Sequence, residues 1–298
     1  MNKHNKYRLK PSEVIALDIP KEKQNYIHRY RLKPHQIEKL QALRRNNKFK
    51  RLFFDIETSP NIGYFWRIGY NITLQPHDIL EERRIISIHY SWEDENKVHH
   101  LTWDSNQCDK AMLKEFIPIM NQADEIIAHN GDRFDEKWIR TRCIYHRIPA
   151  MPKYKTLDTL KKAKFGFNFN SNKLDYIAKF LGVGAKVKHI GFDMWKEVMK
   201  GDKQALKDMV TYGNGDVVVL KDVYFAMQSY IKQNSHVGVY NGEMKYTCPI
   251  CGSEDVELYK NEVTTLGTIK RIMYCKVDKH TYTISNSAYM NMLKFKGI

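Results

Sequence analysis

Two acidic residues, Asp55 and Glu57, directly follow a short apolar run in this 298-residue chain. Side chains two positions apart on a β-strand point to the same face, so the two carboxylates would lie side by side. Neighbouring carboxylates repel each other unless a cation lies between them, and carboxylate oxygens are ligands that suit Mg²⁺ and Mn²⁺. A strand that ends in two solvated acids has the same spacing, so the pair alone leaves both interpretations open.

Two later segments add acidic residues in similar surroundings. The segment HNGDRFD, residues 129–135, follows a second apolar run and offers Asp132 and Asp135 as alternatives. The segment YGNGD places Tyr212 four residues before Asp216, so that on a helix the two side chains share one face. Its two glycines each cost a helix interior about 0.5–1 kcal/mol relative to alanine, which predicts a loosened helix around Tyr212.

Taken in order, the segments F-D-I-E-T, H-N-x-x-x-F-D and Y-x-x-x-D resemble the three motifs of the DEDD superfamily of 3′→5′ exonucleases, which have a ribonuclease H-like fold. The tyrosine in the last motif is typical of the DEDDy branch. The segment LDYIAKFLG, residues 174–182, is similar to a helix that the family has between its second and third motifs. Together these segments extend over most of the middle of the chain.

The resemblance implies an enzyme, a metal-dependent 3′→5′ exonuclease that hydrolyses phosphodiester bonds at single-stranded nucleic acid ends, with DNA favoured over RNA. It implies two Mg²⁺ or Mn²⁺ ions that activate a water and stabilise the leaving oxygen. The family's functional residues correspond here to four metal-binding carboxylates and a water-positioning tyrosine: Asp55, Glu57, Asp135, Asp216 and Tyr212. The alternative is a non-catalytic nucleic-acid-binding or scaffold protein on an exonuclease-like fold.

The elements that must position these residues follow from the apolar periodicity of residues 51–236, which predicts three consecutive strands and then helices around a further strand. This order indicates an α/β domain, and the resemblance implies a ribonuclease H-like mixed sheet flanked by helices. The predicted strands are Arg51–Ile56, Ile85–Trp92, Lys97–Trp103 and Glu125–His129. The predicted helices are Asp109–Ala123, Phe134–Arg147, Ser171–Leu181 and Gln204–Met227.

An aromatic insert separates the first two predicted strands and contains Tyr64, Phe65 and Trp66. Aromatic side chains beside a catalytic edge can stack on the bases of a single strand. They can equally form a loop that folds onto its own core, and the sequence favours neither alternative.

The N-terminal 50 residues contain 14 Lys and Arg against four Asp and Glu, so they supply +10 of the net charge of +15. Apolar residues at helical spacing predict a small helical segment here. A concentrated basic segment indicates contact with a polyanion, and we expect Arg44 and Arg45 to contact nucleic acid. A solvated basic tail is the alternative.

The C-terminal residues 237–298 predict a separate zinc-ribbon-like domain. Cys248 and Cys251 form a C-P-x-C-G knuckle, and Cys275 and His280 follow at a distance. Three thiolates and an imidazole would hold one structural Zn²⁺ in a tetrahedral site. The spacing between the last two ligands is longer than ribbons usually have, and His236 is a poorer substitute for His280. Zinc ribbons bind nucleic acid or protein, so a replication or repair protein is a possible partner.

The cellular setting follows from cysteine usage and hydropathy. Five cysteines, three of them clustered late in the chain, do not resemble a disulfide framework, so we expect a reducing cytoplasmic environment. No apolar run approaches the roughly 18 residues of a membrane span, so no membrane contact is expected. The lack of a polymerase domain suggests a stand-alone nuclease, such as a phage or other mobile element would encode for the host cytoplasm.

Overall fold

A computed structural model describes residues 48–149 except 68, 70 and 71, residues 154–185, and residues 191–297. The described residues divide into two units, which we call the sheet unit, Lys50–Ser235, and the C-terminal unit, which contains Phe49 and the residues from His236 onward. The predicted N-terminal helix, together with Arg44 and Arg45, lies outside the described residues.

The sheet unit is built on a mixed five-stranded sheet in the order β5-β4-β1-β6-β7. Strands β1, β6 and β7 are parallel, and β4 is antiparallel to both β1 and β5. Two short strands, β2 and β3, pair with each other outside this sheet. The strands are β1 (Arg51–Thr58), β2 (Ile62–Gly63), β3 (Ile79–Glu81), β4 (Ile85–Trp92), β5 (His99–Thr102), β6 (Glu125–Ala128) and β7 (Lys155–Asp158).

Helices cover both faces of the sheet because the side chains of β1 alternate between two buried cores. Leu52 and Phe54 pack with α1 and α2 on one face, and Phe53 packs with α3, α4 and α6 on the other. The helices are α1 (Lys110–Met120), α2 (Asp135–Tyr145), α3 (Thr159–Gly166), α4 (Leu174–Leu181), α5 (Phe192–Met199) and α6 (Lys203–Met227). None of the helices in the described part of the chain is long and apolar enough to span a membrane.

The four strands and four helices predicted for this unit are present, each within a few residues of its predicted ends. Strand β7 and helices α3 and α5 were not predicted. Strand β7 has only four residues, and the lysine-rich α3 lacks a wide apolar stripe. The local signal for α3 is its N-cap, since the carboxylate of Asp158 accepts hydrogen bonds from the amides of Leu160 and Lys161.

Helix α6 is continuous over 25 residues, so the predicted loosening around Tyr212 is wrong. Gly213 is buried where the helix crosses β4, and a Cβ at this position would lie 2.3 Å from Nε2 of His89. Glycine is therefore required here by close packing between the helix and the sheet, and that packing offsets its low helix propensity.

The C-terminal unit contains a three-stranded antiparallel sheet in the order β10-β9-β8 and two helices that were not predicted from the sequence. Phe49 belongs to this unit, because its amide donates to Oδ1 of Asn241 at 2.8 Å and its ring contacts that of Tyr240. The elements are α7 (Val237–Tyr240), β8 (Val256–Val263), β9 (Ile269–Cys275), β10 (His280–Ser285) and α8 (Asn286–Lys296).

Candidate active site and cysteine cluster

Three of the four predicted carboxylates come together in the sheet unit. Asp55, Glu57 and Asp216 each offer a carboxylate oxygen, and these oxygens all lie within 4.8 Å of one another. Asp216 is only 3 % exposed, whereas Asp55 and Glu57 are half-buried. The group is therefore buried at Asp216 and accessible to solvent at Asp55 and Glu57, so that an ion and a substrate can reach it.

The position of this group follows from the register of β1. Phe53, Asp55 and Glu57 lie on the face that carries α6, where the Phe53 ring contacts that of Tyr224. A β-bulge between Glu57 and Thr58 shifts the pairing of β1 with β4 at this end of the strand. Bulges of this kind re-aim side chains and are common beside functional sites.

A buried polar contact fixes α6 above the acidic group. His89 pairs with Asp55 across β4 and β1, and its ring nitrogens bond to Asn214 Oδ1 at 2.9 Å and Ser87 Oγ at 2.8 Å. Burial lowers the pKa of His89 to about 4, although the bond to Asn214 opposes this shift. The imidazole is therefore neutral near pH 7. Neither His89 nor Asn214 was a candidate site residue from the sequence.

Tyr212 lies one turn before Asp216 on α6, as the spacing predicted, and is half-buried. Its ring packs edge-on against Trp195 of α5, with 6.2 Å between ring centroids. Trp195 and Phe192 also line a cleft of about 330 Å³, whose other wall is the chain that follows β1. Neither α5 residue was a sequence candidate, because α5 itself was not predicted.

Asp135 begins α2 beside the carboxyl half of the central strand β1 and is not part of the group of three carboxylates. It is 2 % exposed, and its Oδ1 accepts a hydrogen bond from the amide of Ile56 at 3.2 Å. The pairing of β1 with β6 ends at Phe53, so Asp135 occupies the place where the neighbouring strand has stopped. Burial raises the pKa of Asp135 to about 7, and the nearby charges of Asp158 and Glu136 add to the rise.

Asp132 and His129, which belong to the same segment as Asp135, connect secondary-structure elements of the sheet unit. Asp132 forms an ion pair with Lys161, so it faces α3 rather than β1. The ring of His129 bonds to Thr159 Oγ1 at 2.9 Å and to the carbonyl of Asn172 at 3.0 Å, which ties β6 to α3 and to the loop before α4.

Three aromatic residues of the insert, Tyr64, Phe65 and Trp66, are all exposed, so these side chains do not pack onto a core of their own. Stacking on a nucleic acid stays a prediction for these residues.

The C-terminal unit brings three thiols and one carboxylate together. The ligand atoms of Cys248, Cys251, Cys275 and Asp278 lie within 4.8 Å of one another, with Cys251 Sγ 3.8 Å from Cys275 Sγ. His280, the predicted fourth ligand, is not a member of this group, and neither is the substitute His236.

The spacing explains why Asp278 takes the place expected for His280. Two residues separate Cys275 from Asp278, as two separate Cys248 from Cys251, so both pairs have the same ligand spacing. In each case a backbone amide donates to the first sulfur, from Ile250 to Cys248 at 3.3 Å and from Asp278 to Cys275 at 3.4 Å. The two-residue spacing in the sequence could have predicted Asp278 as the fourth ligand, provided that aspartate was considered as a zinc ligand.

A further group, Cys108, Asp109 and His146, is better explained as a buried ion pair than as a metal site. The carboxylate of Asp109 accepts bonds from Arg142, His146 and the amide of Ile85. Burial alone would raise the pKa of Asp109, but these donors lower it. The guanidinium of Arg142 already neutralises the carboxylate of Asp109, so this carboxylate has no charge left for a bound cation to balance.

Comparisons with known proteins agree with the fold. Residues 80–228, which are 149 of 298 and so half of the chain, match the family RNase_H_2 of the RNase_H superfamily. The matched region contains Asp135, Tyr212 and Asp216 but not Asp55 or Glu57. No curated protein matches the chain.

Among solved structures, the family B DNA polymerase from the hyperthermophilic archaeon Pyrobaculum calidifontis is similar, with a TM-score of 0.48 and 14% sequence identity. The alignment covers 65% of this chain and 26% of the polymerase. The mixed sheet flanked by helices confirms the predicted ribonuclease H-like fold, and the acidic group on it supports a nuclease-type function. The chain belongs to the RNase H superfamily.

Proposed function

We propose that the sheet unit is a metal-dependent 3′→5′ exonuclease that acts on single-stranded nucleic acid ends, with DNA favoured over RNA. The observation that carries this proposal is the convergence of Asp55, Glu57 and Asp216 within 4.8 Å at the carboxyl end of β1. Ligand sites on open α/β sheets lie preferentially at the carboxyl ends of the strands.

The donor set fits a hard divalent cation. All three ligand atoms are carboxylate oxygens, one of them buried, and such ligands suit Mg²⁺ and Mn²⁺ better than softer metals. Three negative charges this close disfavour one another, and a divalent ion between them removes that repulsion. The acidic group is therefore suited to hold the ions that the sequence resemblance implies.

Each residue of the site has a distinct contribution in this proposal. Bound Mg²⁺ or Mn²⁺ would supply charge neutralisation and an activated water for phosphodiester hydrolysis. Asp55, Glu57 and Asp216 would hold the ions, and Asp135, which accepts a hydrogen bond from the amide of Ile56 in β1, would complete the set. Tyr212 orients the attacking water from one helical turn before Asp216; its phenol is not the base, since its ordinary pKa of about 10 is far from neutrality.

The test uses single-stranded DNA and RNA of matched sequence, labelled at the 5′ or the 3′ end, with Mg²⁺, Mn²⁺ or EDTA. We expect a ladder of shortened products from the 5′ label and immediate release of the 3′ label, both abolished by EDTA and by Asp55→Ala. The matched control is Asp208→Ala, an exposed aspartate on α6. Equal degradation by wild type and Asp55→Ala, or no degradation by either, would leave only the non-catalytic alternative.

We further propose that the C-terminal unit holds one structural Zn²⁺ through Cys248, Cys251, Cys275 and Asp278. Sulfur-rich tetrahedral ligand sets favour zinc, and aspartate oxygen is an accepted zinc ligand. Cys248 and Cys275 belong to the core of this unit, where burial raises the pKa of the Cys248 thiol well above its usual range. A bound zinc would keep the thiolates deprotonated in that apolar surrounding.

Two single substitutions separate the observed ligand set from the predicted one. Asp278→Ala should weaken zinc binding in a competition assay with a chromophoric chelator, whereas His280→Ala should leave it unchanged. Asp278→Cys should restore binding, because it supplies a fourth thiolate at the same spacing. If His280→Ala releases the metal and Asp278→Ala does not, the ligand set is wrong.

A further inference from the structure

A row of aromatic rings crosses the surface of the sheet unit beside α3, α4 and the end of α6. Phe167 and Phe169 stack with 5.2 Å between centroids, and Phe169 meets Phe180 edge-on at 5.3 Å. Phe180 continues to Tyr176 at 6.4 Å, and Phe167 continues to Tyr230 at 6.5 Å. We call these five residues the aromatic strip.

Two rings of the aromatic strip pack against the core, and two others are exposed to solvent. Phe167 and Phe169 pack against the core that contains Leu157 and Ile177, so their rings are held in place. Phe180 is 65% exposed and Tyr230 is 78% exposed. Contiguous exposed apolar surface on a folded domain marks an interaction site more often than isolated exposed residues do.

The charge around the strip favours a polyanion as its partner. Residues 161–180 contain five lysines and one aspartate, a formal charge of +4. Lys164 and Lys173 are exposed, and so are the amide side chains of Asn168 and Asn170. Aromatic rings interleaved with lysines match what single-stranded nucleic acid offers, since bases stack on rings and phosphates pair with the cations.

The strip is also connected to the candidate active site. Asn172 follows Phe169 in the same loop, and its carbonyl is held at 3.0 Å by His129 of the second motif. Lys161, at the start of α3, pairs with Asp132 of that motif. The loop and helix beside the strip therefore contact the segment that follows β6, to which Asp135 also belongs.

We propose that the aromatic strip binds the single-stranded part of the substrate, away from the end held at the carboxylates, by stacking bases on Phe180, Tyr230 and their neighbours. The identity of the polymer rests on the proposed nuclease function, but binding does not require catalysis. Stacking reads no base edge, so the strip would bind strands of any sequence and would favour them over duplexes.

The test is the fluorescence anisotropy of a labelled single strand of about 16 nucleotides, the upper end of the usual site size, measured without added Mg²⁺ or Mn²⁺ so that nothing is cleaved and the C-terminal unit keeps its zinc. The double variant Phe180→Ala/Tyr230→Ala should bind roughly tenfold or more weakly, since each stacked ring contributes measurably on alanine substitution. The matched control is Ile144→Ala, because Ile144 is an exposed apolar residue on α2 outside the strip. It should bind within twofold of wild type.

Two substitutions at one position separate stacking from simple apolar contact. Phe180→Trp should keep the wild-type affinity, whereas Phe180→Leu should lose as much as Phe180→Ala. Equal affinity of wild type, Phe180→Leu and the double variant would overturn the inference, as would a wild type that binds no oligonucleotide. Unchanged nucleic acid binding with a change in oligomeric mass would assign the strip to a second copy of the chain instead.

The nuclease proposal and the strip can fail separately. Strip-dependent binding without any Mg²⁺- or Mn²⁺-dependent digestion would keep the strip and remove the exonuclease. Digestion by a protein whose strip variants bind like wild type would keep the exonuclease and remove the strip.

Discussion

The carboxylate group and the cysteine cluster are both suited to metal ions, yet they stand in opposite relations to the fold around them. Asp55, Glu57 and Asp216 lie at the rim of a sheet whose two cores are formed by other residues. Cys248 and Cys275 are members of the core of their own unit. The carboxylate group therefore lies outside the cores that stabilise the sheet unit, whereas the cysteine cluster is part of the core that stabilises the C-terminal unit.

The contrast predicts that metal ions at the carboxylate group affect activity, whereas a metal ion at the cysteine cluster affects folding. A large apolar core supplies the stability of the sheet unit, so its ions can serve chemistry and leave stability nearly unchanged. A unit of about 60 residues has a small core and usually needs disulfides, a metal or a partner in addition. Metal loss should therefore abolish activity in one unit and folding in the other.

The largest expected effect is the unfolding of the C-terminal unit in Cys248→Ser/Cys251→Ser. Structural zinc contributes on the order of 10 kcal/mol of folding free energy at pH 7. Hydrogen exchange should become fast throughout β8, β9 and β10 and remain slow in β1 and β4. The control is Cys108→Ser in the sheet unit. Slow exchange in the C-terminal strands of the double variant would remove the distinction between the two sites.

Gly213→Ala should destabilise the sheet unit by about 1–3 kcal/mol, the usual effect of overpacking a filled core. The added Cβ would meet the His89 ring, which cannot rotate away without breaking its bonds to Asn214 and Ser87. Urea unfolding followed by tryptophan fluorescence measures this unit alone, because all five tryptophans precede residue 236.

Gly166→Ala is the matched control for that substitution. Its Cβ would make only an ordinary contact at 3.9 Å with Ile231. Equal unfolding midpoints for Gly213→Ala and wild type would show that α6 does not depend on the close approach to β4.

His89 should lower the stability of the sheet unit as the pH decreases from about 6.5 to about 4, whereas Asp135, whose pKa is raised to about 7, contributes the opposite slope over the same range. The unfolded chain takes up a proton at the ordinary histidine pKa of about 6.5, whereas buried His89 takes it up only near pH 4. Between these values the unfolded state binds the extra proton, so the contribution of His89 to stability decreases by at most about 1.4 kcal/mol per pH unit.

His89→Gln removes the contribution of His89 and keeps that of Asp135, so the free energy of unfolding of wild type relative to the variant should decrease as the pH decreases through this range. The measurement is the urea midpoint of tryptophan fluorescence at several values between pH 4 and pH 7. A slope in His89→Gln as steep as in wild type would assign the pH dependence to other groups.

Tyr212→Phe should have the smallest effect, a reduction of the cleavage rate by roughly tenfold, which corresponds to about 1.4 kcal/mol of transition-state stabilisation. The variant loses the hydroxyl but keeps the ring that packs on Trp195. Mn²⁺ affinity measured by titration should not change. Tyr145→Phe, an exposed tyrosine on α2, is the control, and an unchanged rate in Tyr212→Phe would mean that the hydroxyl does not orient the water.

The resemblance to the DEDD superfamily implied that Asp216 joins Asp55 and Glu57. Local pattern was enough to predict most of the sheet and the shared face of Asp55 and Glu57, because strand alternation fixes which side chains share a face. It could not predict that Gly213 serves packing, since the partner ring of His89 is more than a hundred residues away. It missed α5, and with it Trp195. Asp278 was not a candidate ligand from the sequence, because the ligands sought there were thiolates and imidazoles.

The central claim is that Asp55, Glu57 and Asp216 hold catalytic metal ions, and Asp216→Asn tests it most directly. This substitution keeps the shape of a buried side chain and removes its charge. With Mn²⁺ and a single-stranded substrate, we expect the cleavage rate to fall about a hundredfold or more, since metal-ion charge stabilisation is worth several kcal/mol. Asp208→Asn on the same helix should cleave like wild type. Cleavage by Asp216→Asn within twofold of wild type, or wild-type cleavage that persists in EDTA, would contradict the account.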